Sequence, residues 1–254
     1  MENVNVHSSM FRRLSIILAF LNITVMQSQA QRDEQLLLEH QLSYPFGGRY
    51  LLETTTAYQT LMNPENKWWS FSTSPTFEMS LIRWLDLLSE VGISYTLQQE
   101  NANTLEISPM VGGRFFLTQG KKVDTRFVIR YQQRNFKDIE TGDWSSSNRS
   151  RLRGEVFVSI NGPNLFTDKL WYAFADYEEF IVFDQQLEER FANRRRARIG
   201  VGYRLNYKHR FELGYTIQTA RDEINDEFTG ADNVIQLKYK LFLNPAKPTV
   251  SSQD

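Results

Sequence analysis

The stretch Arg196–Tyr207, RARIGVGYRLNY, decides the fold class. Ala197, Ile199, Val201, Tyr203, Leu205 and Tyr207 fall on one face of an extended chain, and Arg196, Arg198, Gly200, Gly202, Arg204 and Asn206 on the other. A strand sends successive side chains to opposite faces, so this is a strand with one apolar and one cationic face. The next stretch repeats the pattern. Phe211, Leu213, Tyr215 and Ile217 alternate with Arg210, Glu212, Gly214, Thr216 and Gln218, after a very short connection at Lys208-His209. That spacing predicts a hairpin.

Period two continues outward from this hairpin in both directions. It predicts eleven strands near residues 34–44, 48–60, 67–79, 85–99, 102–117, 122–134, 147–161, 167–183, 190–207, 209–221 and 232–243. Short connections (Pro45–Gly48, Arg83–Asp86, Gln119–Lys121, Asn161–Asn164, Lys208-His209) alternate with longer polar ones (Met62–Asn66, Gln99–Asn103, Lys137–Ser147, Asp184–Asn193, Asp222–Asp232). Many predicted strands exceed the 5–6 residues usual in soluble proteins and reach the 9–11 that a tilted membrane strand needs. The expected fold is therefore all-β, a closed antiparallel up-and-down transmembrane β-barrel of about 10–12 strands. Eleven has the wrong parity for a bacterial barrel with both termini on one side, so 12 is favoured on size, with 34–44 as the segment of doubtful regularity.

The N-terminal segment fits this destination. Arg12 and Arg13 precede the apolar run Leu14–Val25, and Ser28-Gln29-Ala30 supplies a small-x-small cleavage site before Gln31. The run is too short to span a bilayer, so a signal peptide is expected at 1–30, a barrel at 31–243 and a polar tail at 244–254. Aromatic residues make up 13% of the chain, the residue class that membrane interfaces enrich. The mean hydropathy of −0.46 does not oppose a barrel, because only alternate residues face lipid. A net charge of −1 gives no global attraction to nucleic acid, and the absence of cysteine excludes disulfides and thiolate chemistry.

One face of the strands carries Leu52, Phe71, Phe77, Val91, Ile93, Val111, Phe127, Ile129, Val156 and Leu237. The other is expected to form a lumen charge network: Glu53, Glu78, Glu90, Glu106, Arg114, Arg130, Arg134, Arg149, Arg151, Arg153, Glu155, Arg196, Arg198, Arg204, Arg210 and Glu212, with Lys238 and Lys240 nearby. Early strands are rich in acids and late ones in bases, so closure would set the two arcs facing each other. Gly112, Gly154, Gly200, Gly202 and Gly214 recur in these strands and would leave room for guanidinium groups. Two readings stay open: a lumen filled by Arg–carboxylate pairs, and a narrow anion-attracting pore. Residues 167–183 fit neither face cleanly, and Asp176, Glu178 and Glu179 suggest a bulge or strand end near Glu179.

Catalytic chemistry is hard to place. His7 lies in the leader, His40 on the apolar side and His209 in a predicted turn, none with a Ser/Asp partner or metal-ligand spacing. Glu188/Glu189 and Asp222/Glu223 fall in predicted loops, where they read as solvated charge or as contacts to divalent ions and lipopolysaccharide. Arg194-Arg195-Arg196 reads as the salt-bridged start of a strand. No cofactor, no metal and no enzymatic activity are expected; an outer-membrane hydrolase and a soluble periplasmic barrel for an apolar ligand are the alternatives.

Asn103–Ile107, Leu187–Arg194 and Arg198–Arg204, together with Asp168–Tyr172 and Val234–Leu237, are similar in kind and order to a bacterial family of exported proteins known as domain of unknown function 2490. The resemblance spans roughly Leu36 to Leu243. It implies a membrane barrel and brings no activity or site residues. The expected location is the bacterial outer membrane after cleavage near Ala30-Gln31. The expected partners are outer-membrane lipid, lipopolysaccharide, the barrel-assembly machinery and a small solute. Asn244–Asp254 follows the last strand, so a simple C-terminal assembly signal is in doubt.

Overall fold

The computed structural model describes residues 34–63, 68–97, 103–183, 194–221 and 228–243. The expected leader and tail, and the pairs Glu188/Glu189 and Asp222/Glu223, lie outside the described residues. Eleven strands form: β1 (Glu34–Phe46), β2 (Tyr50–Leu61), β3 (Trp69–Ile82), β4 (Leu85–Leu97), β5 (Thr104–Thr118), β6 (Val123–Asp138), β7 (Trp144–Ser159), β8 (Leu170–Val182), β9 (Arg194–Arg204), β10 (His209–Arg221) and β11 (Phe228–Phe242). The described residues contain no helix.

The strands close into a barrel in chain order, each antiparallel to the next, and β1 pairs with β11 in parallel. This corrects both the strand number of 12 and the wholly antiparallel sheet. An odd number makes the first and last strands point the same way, so the seam must be parallel. Residues 34–44 are regular: Glu34 to Ser43 pair in unbroken register with Asn233 to Phe242, and the other edge of β1 pairs with β2.

Connections 47–49, 83–84, 119–122, 160–169 and 205–208 gather at one end of the barrel, here the turn end; the other end is the loop end. The expected contrast in loop length fails at two places. The connection after β6 shrinks to 139–143, closed by the Asp138 carboxylate accepting the Glu140 and Thr141 backbone N–H groups at 2.8 and 2.9 Å. The connection after β7 runs through 160–169 instead of a four-residue turn. It is structured by Asn161, which accepts the Trp171 N–H at 2.7 Å, and by Asn164, which accepts the Phe166 N–H at 2.9 Å.

That longer connection lies against the main apolar cluster. Leu170, Tyr172 and Phe174 point inward from β8 and are buried, with Phe157 of β7 and Leu165 of the connection packed on them. Gly200 and Gly202 of β9 make the room: a Cβ on them would come within 2.3 Å of Phe174 Cζ and 2.2 Å of Tyr172 Cζ. These glycines therefore clear space for aromatic rings, not for the guanidinium groups expected from sequence. Gly112 does face Arg130, with a virtual Cβ 3.0 Å from its Cγ, while Gly154 lies exposed on the outer face.

β8 also corrects the expected irregularity. Its pairing with β7 keeps one register from Tyr172 to Val182, so Asp176 and Glu178 point inward and Glu179 outward. The outer surface of the barrel is apolar around its girth, with Val91, Val111, Ile129, Ile199, Leu213 and Leu237 each at least 39% exposed. Aromatic groups flank it at both ends: Tyr44, Phe46, Tyr50 and Phe77 near the turn end, and Tyr58, Trp69 and Tyr95 near the loop end.

Candidate functional site

Alternation along eleven strands aims one side chain in two at the barrel axis, and these inward groups enclose a cavity of about 570 Å³ touched by every strand. Of the sixteen residues expected in the lumen network, twelve line it: Glu53, Glu78, Glu90, Arg114, Arg130, Arg151, Arg153, Glu155, Arg196, Arg198, Arg210 and Glu212. The other four sit toward the ends. Glu106, Arg134 and Arg149 lie toward the loop end, where Arg134 holds Glu106 through two bonds of 2.9 and 2.8 Å and Arg149 donates to Gln132 at 2.8 Å. Arg204 lies at the turn end, where it donates to the Leu165 carbonyl at 3.0 Å and faces Asp168 at 3.5 Å.

The ion pairs run along the wall, not across the lumen as two confronting arcs. Arg114 grips Glu78 with both terminal nitrogens, at 2.6 and 3.0 Å, over one intervening strand. Arg130 reaches Glu90 in the same way at 3.4 Å. Glu178 takes Arg151 at 2.9 Å and Arg196 at 2.8 Å, and Asp176 takes Arg198 at 2.6 Å. Arg153 meets Glu155 at 2.5 Å, Lys240 meets Glu212 at 2.7 Å, and Lys238 meets Glu39 across the parallel seam at 3.7 Å. Paired in this way, buried charges avoid the large cost that a lone ion would carry.

Four kinds of inward residue escaped the sequence reading. Asp176 and Glu178 supply acids inside the basic arc, hidden because β8 shows no apolar–polar contrast along its length. Phe180 carries three guanidinium groups, those of Arg149, Arg151 and Arg196, at 4.7, 5.1 and 4.9 Å from its ring centre. Glu39 anchors the seam, with Gln236 also donating to it. Arg126 faces the cavity from β6, stacked over Phe157 at 4.8 Å and Phe116 at 5.5 Å. Its period-two position beside Arg130 and Arg134 was the available signal.

Ten basic side chains and eight carboxylates line the cavity, a surplus of two positive charges among the described residues. The pairings divide that surplus: Glu178 answers two arginines, and two further bases stand against Glu53, the one lining carboxylate with no ion pair among the described residues. Arg126 and Arg210 are the two cavity-lining bases with neither an ion pair nor a side-chain hydrogen bond among the described residues; Arg210 rests on Phe242 at 4.6 Å. Glu53 lines the same cavity without an ion pair of its own, held instead by Gln41 and by the Ser43 hydroxyl at 2.9 Å.

His40 and His209 stand apart from this cavity. His40 points outward and its ring lies 5.5 Å from that of Tyr239. His209 is the first residue of β10, not a turn residue, and its Nδ1 is 2.7 Å from the Tyr239 hydroxyl. Among the described residues no group of three His, Asp or Glu side chains is arranged to hold a metal ion. Arg195 and Arg196 of the basic run divide between the faces: Arg195 pairs outward with Glu179 at 3.0 Å and Arg196 inward with Glu178.

Comparison with known proteins gives two findings. A family model described as a protein of unknown function (DUF2490) matches residues 24–229. A solved structure titled "NanC porin structure in rhombohedral crystal form" is similar to this chain at 13% identity and TM-score 0.46, covering 80% of this chain and 91% of that one. Among curated proteins none matches the chain.

Proposed function

The chain belongs to this family of proteins of unknown function, and we propose that it is an outer-membrane β-barrel whose lumen is a narrow, anion-preferring passage. The outward apolar girth with aromatic groups at both ends is what a bilayer-spanning barrel requires. The leader-like residues 1–30 supply the matching route of export. The turn end would then face the periplasm, with lipid, lipopolysaccharide and the assembly machinery as partners in the membrane. One observation carries the transport reading: a cavity touched by all eleven strands, with two more positive than negative charges on its wall. A narrow, low-dielectric tube makes such a surplus felt by every permeating ion.

The second reading is a closed structural scaffold. It is favoured by Leu165 packed on Leu170, Tyr172 and Phe174 at the turn end, which narrows that mouth.

Planar-bilayer recording of the refolded mature chain separates the two. Current steps whose reversal potential in a salt gradient favours the anion support the passage; Glu53→Gln should then strengthen that preference, because it removes a carboxylate with no cation beside it. A bilayer that stays silent would point to the scaffold. Recovery of folded protein in the detergent-free periplasmic fraction would exclude both.

A further inference from the structure

We propose that Arg126 and Arg210 form a two-armed clamp for a doubly charged oxyanion of the phosphate or phosphate-monoester class, near the turn-end mouth of the lumen. The inference deepens the passage reading and rests on it in one respect: the anion must reach the cavity.

Both arginines are held in the same way. Each guanidinium lies over an aromatic ring, Arg126 over Phe157 at 4.8 Å and Arg210 over Phe242 at 4.6 Å. Stacking uses the face of a guanidinium and leaves its in-plane N–H donors unspent. Elsewhere on the wall those donors meet carboxylates, as Arg114 meets Glu78. Here none does: the Nε of both residues is buried without a partner, as is that of Arg114, but Arg114 spends its terminal nitrogens on Glu78.

The two arms belong to one place. Arg126 comes from β6 and Arg210 from β10, both near the turn-end limits of their strands, and both line the same cavity. Arg204 and Arg126 act on Arg210 as like charges, against the attraction of Glu212, and Glu155 draws Arg126. Two like charges held together with unmet donors are relieved by an anion between them. A planar fork on each side suits bidentate recognition of an oxyanion. A phosphate has oxygens enough for both forks and up to two charges to set against the two unpaired guanidinium groups, whereas a carboxylate's two oxygens satisfy one fork. Nothing in the arrangement reads the rest of the solute, so the class is set by the head group.

Calorimetric titration of the full barrel, refolded in detergent, with inorganic phosphate tests this without requiring current to flow. Wild type should bind saturably and acetate far more weakly. Arg126→Gln and Arg210→Gln should each weaken binding about tenfold, the usual scale of a lost charge-assisted contact. Arg126→Lys with Arg210→Lys, which keeps both charges but loses the forks, should lose most of the phosphate affinity while preserving anion preference of the current. Arg195→Gln, on the outer face at the loop end, should change nothing. Absence of saturable binding, equal binding by the double glutamine variant, or an equal loss on Arg195→Gln would overturn the clamp. Phosphate binding without conductance would sustain the clamp and sink the passage; conductance without binding would do the reverse.

Discussion

The β2–β3 wall and the β7–β9 wall of this barrel share one backbone geometry and differ in almost everything they aim inward. β2 and β3 offer the small Thr55, Ala57, Ser72, Ser74 and Thr76 beside Leu51, Glu53, Gln59 and Glu78, and the cavity opens against the small groups. β7 and β8 offer Phe157, Tyr172, Phe174 and Phe180, with arginines layered on the rings and glycines of β9 cut away to receive them. The lumen is therefore lopsided, packed on one side and vacant on the other. Strand number sets how wide a tube can be, but side-chain volume decides where it is open.

The largest effect should follow from attacking the packed wall at Glu178. This carboxylate is 4% exposed and answers two guanidinium groups, so Glu178→Gln leaves both short of a partner. Losing one side of a buried pair costs about 3–5 kcal/mol. Urea unfolding of the barrel in micelles, followed by heat-modifiable gel migration, measures it. Glu53→Gln on the open wall should cost about 1 kcal/mol, the scale of neutral hydrogen bonds, since Gln41 and Ser43 can still bond an amide. Equal losses at the two sites would erase the distinction between the walls.

A smaller effect should come from changing volume. In Gly202→Ala the new Cβ would fall 2.2 Å from Tyr172 Cζ, so the ring must leave its place and give up the 2.7 Å bond from its hydroxyl to Glu212. Overpacking of this kind costs about 1–3 kcal/mol. Ala57→Phe adds far more volume on the other wall, but into the cavity. It should shift stability by less than about 1 kcal/mol and lower single-channel conductance several-fold. If Ala57→Phe destabilises more than Gly202→Ala, the β2–β3 wall is packed after all.

The same contrast explains what could be read from the sequence. The start of β3 and the late hairpin were legible because polar and apolar residues alternate cleanly there, as in Trp69–Ser72 and Arg196–Leu205. That alternation located eleven strands and set sixteen charged residues on one side of them. β8 resisted because Trp171-Tyr172-Ala173-Phe174-Ala175 is apolar on both faces, and Glu178-Glu179 is acidic on both. A strand apolar on both its inward and its outward face loses the signal on which orientation depends. The parallel seam resisted for a different reason. Pairing of β1 with β11 joins residues some two hundred positions apart, and no local pattern reports the direction of a distant partner. Parity argued against eleven strands; the register Glu34↔Asn233 to Ser43↔Phe242 shows how eleven can close.

The smallest effect is expected where the packed wall turns its back on the lumen. Arg195 and Glu179 pair at 3.0 Å on the outer face, with side chains 46% and 38% exposed. Arg198 and Asp176, three strand positions away on each partner, pair at 2.6 Å inside, at 18% and 7%. Both pairs bridge β8 and β9 at directly opposed positions, so backbone context is held constant. Exposed pairs contribute about 0.2–1 kcal/mol because solvent screens them and two long side chains must be ordered. A double-mutant cycle on Arg195 and Glu179 should fall in that range. The cycle on Arg198 and Asp176 should exceed it severalfold, because Phe174 lies under the guanidinium and Gln236 accepts from its Nη1 at 2.9 Å. Equal coupling at the two faces would mean that the interior is as well solvated as the rim, and that the arginines on this wall are held no more firmly than surface charges.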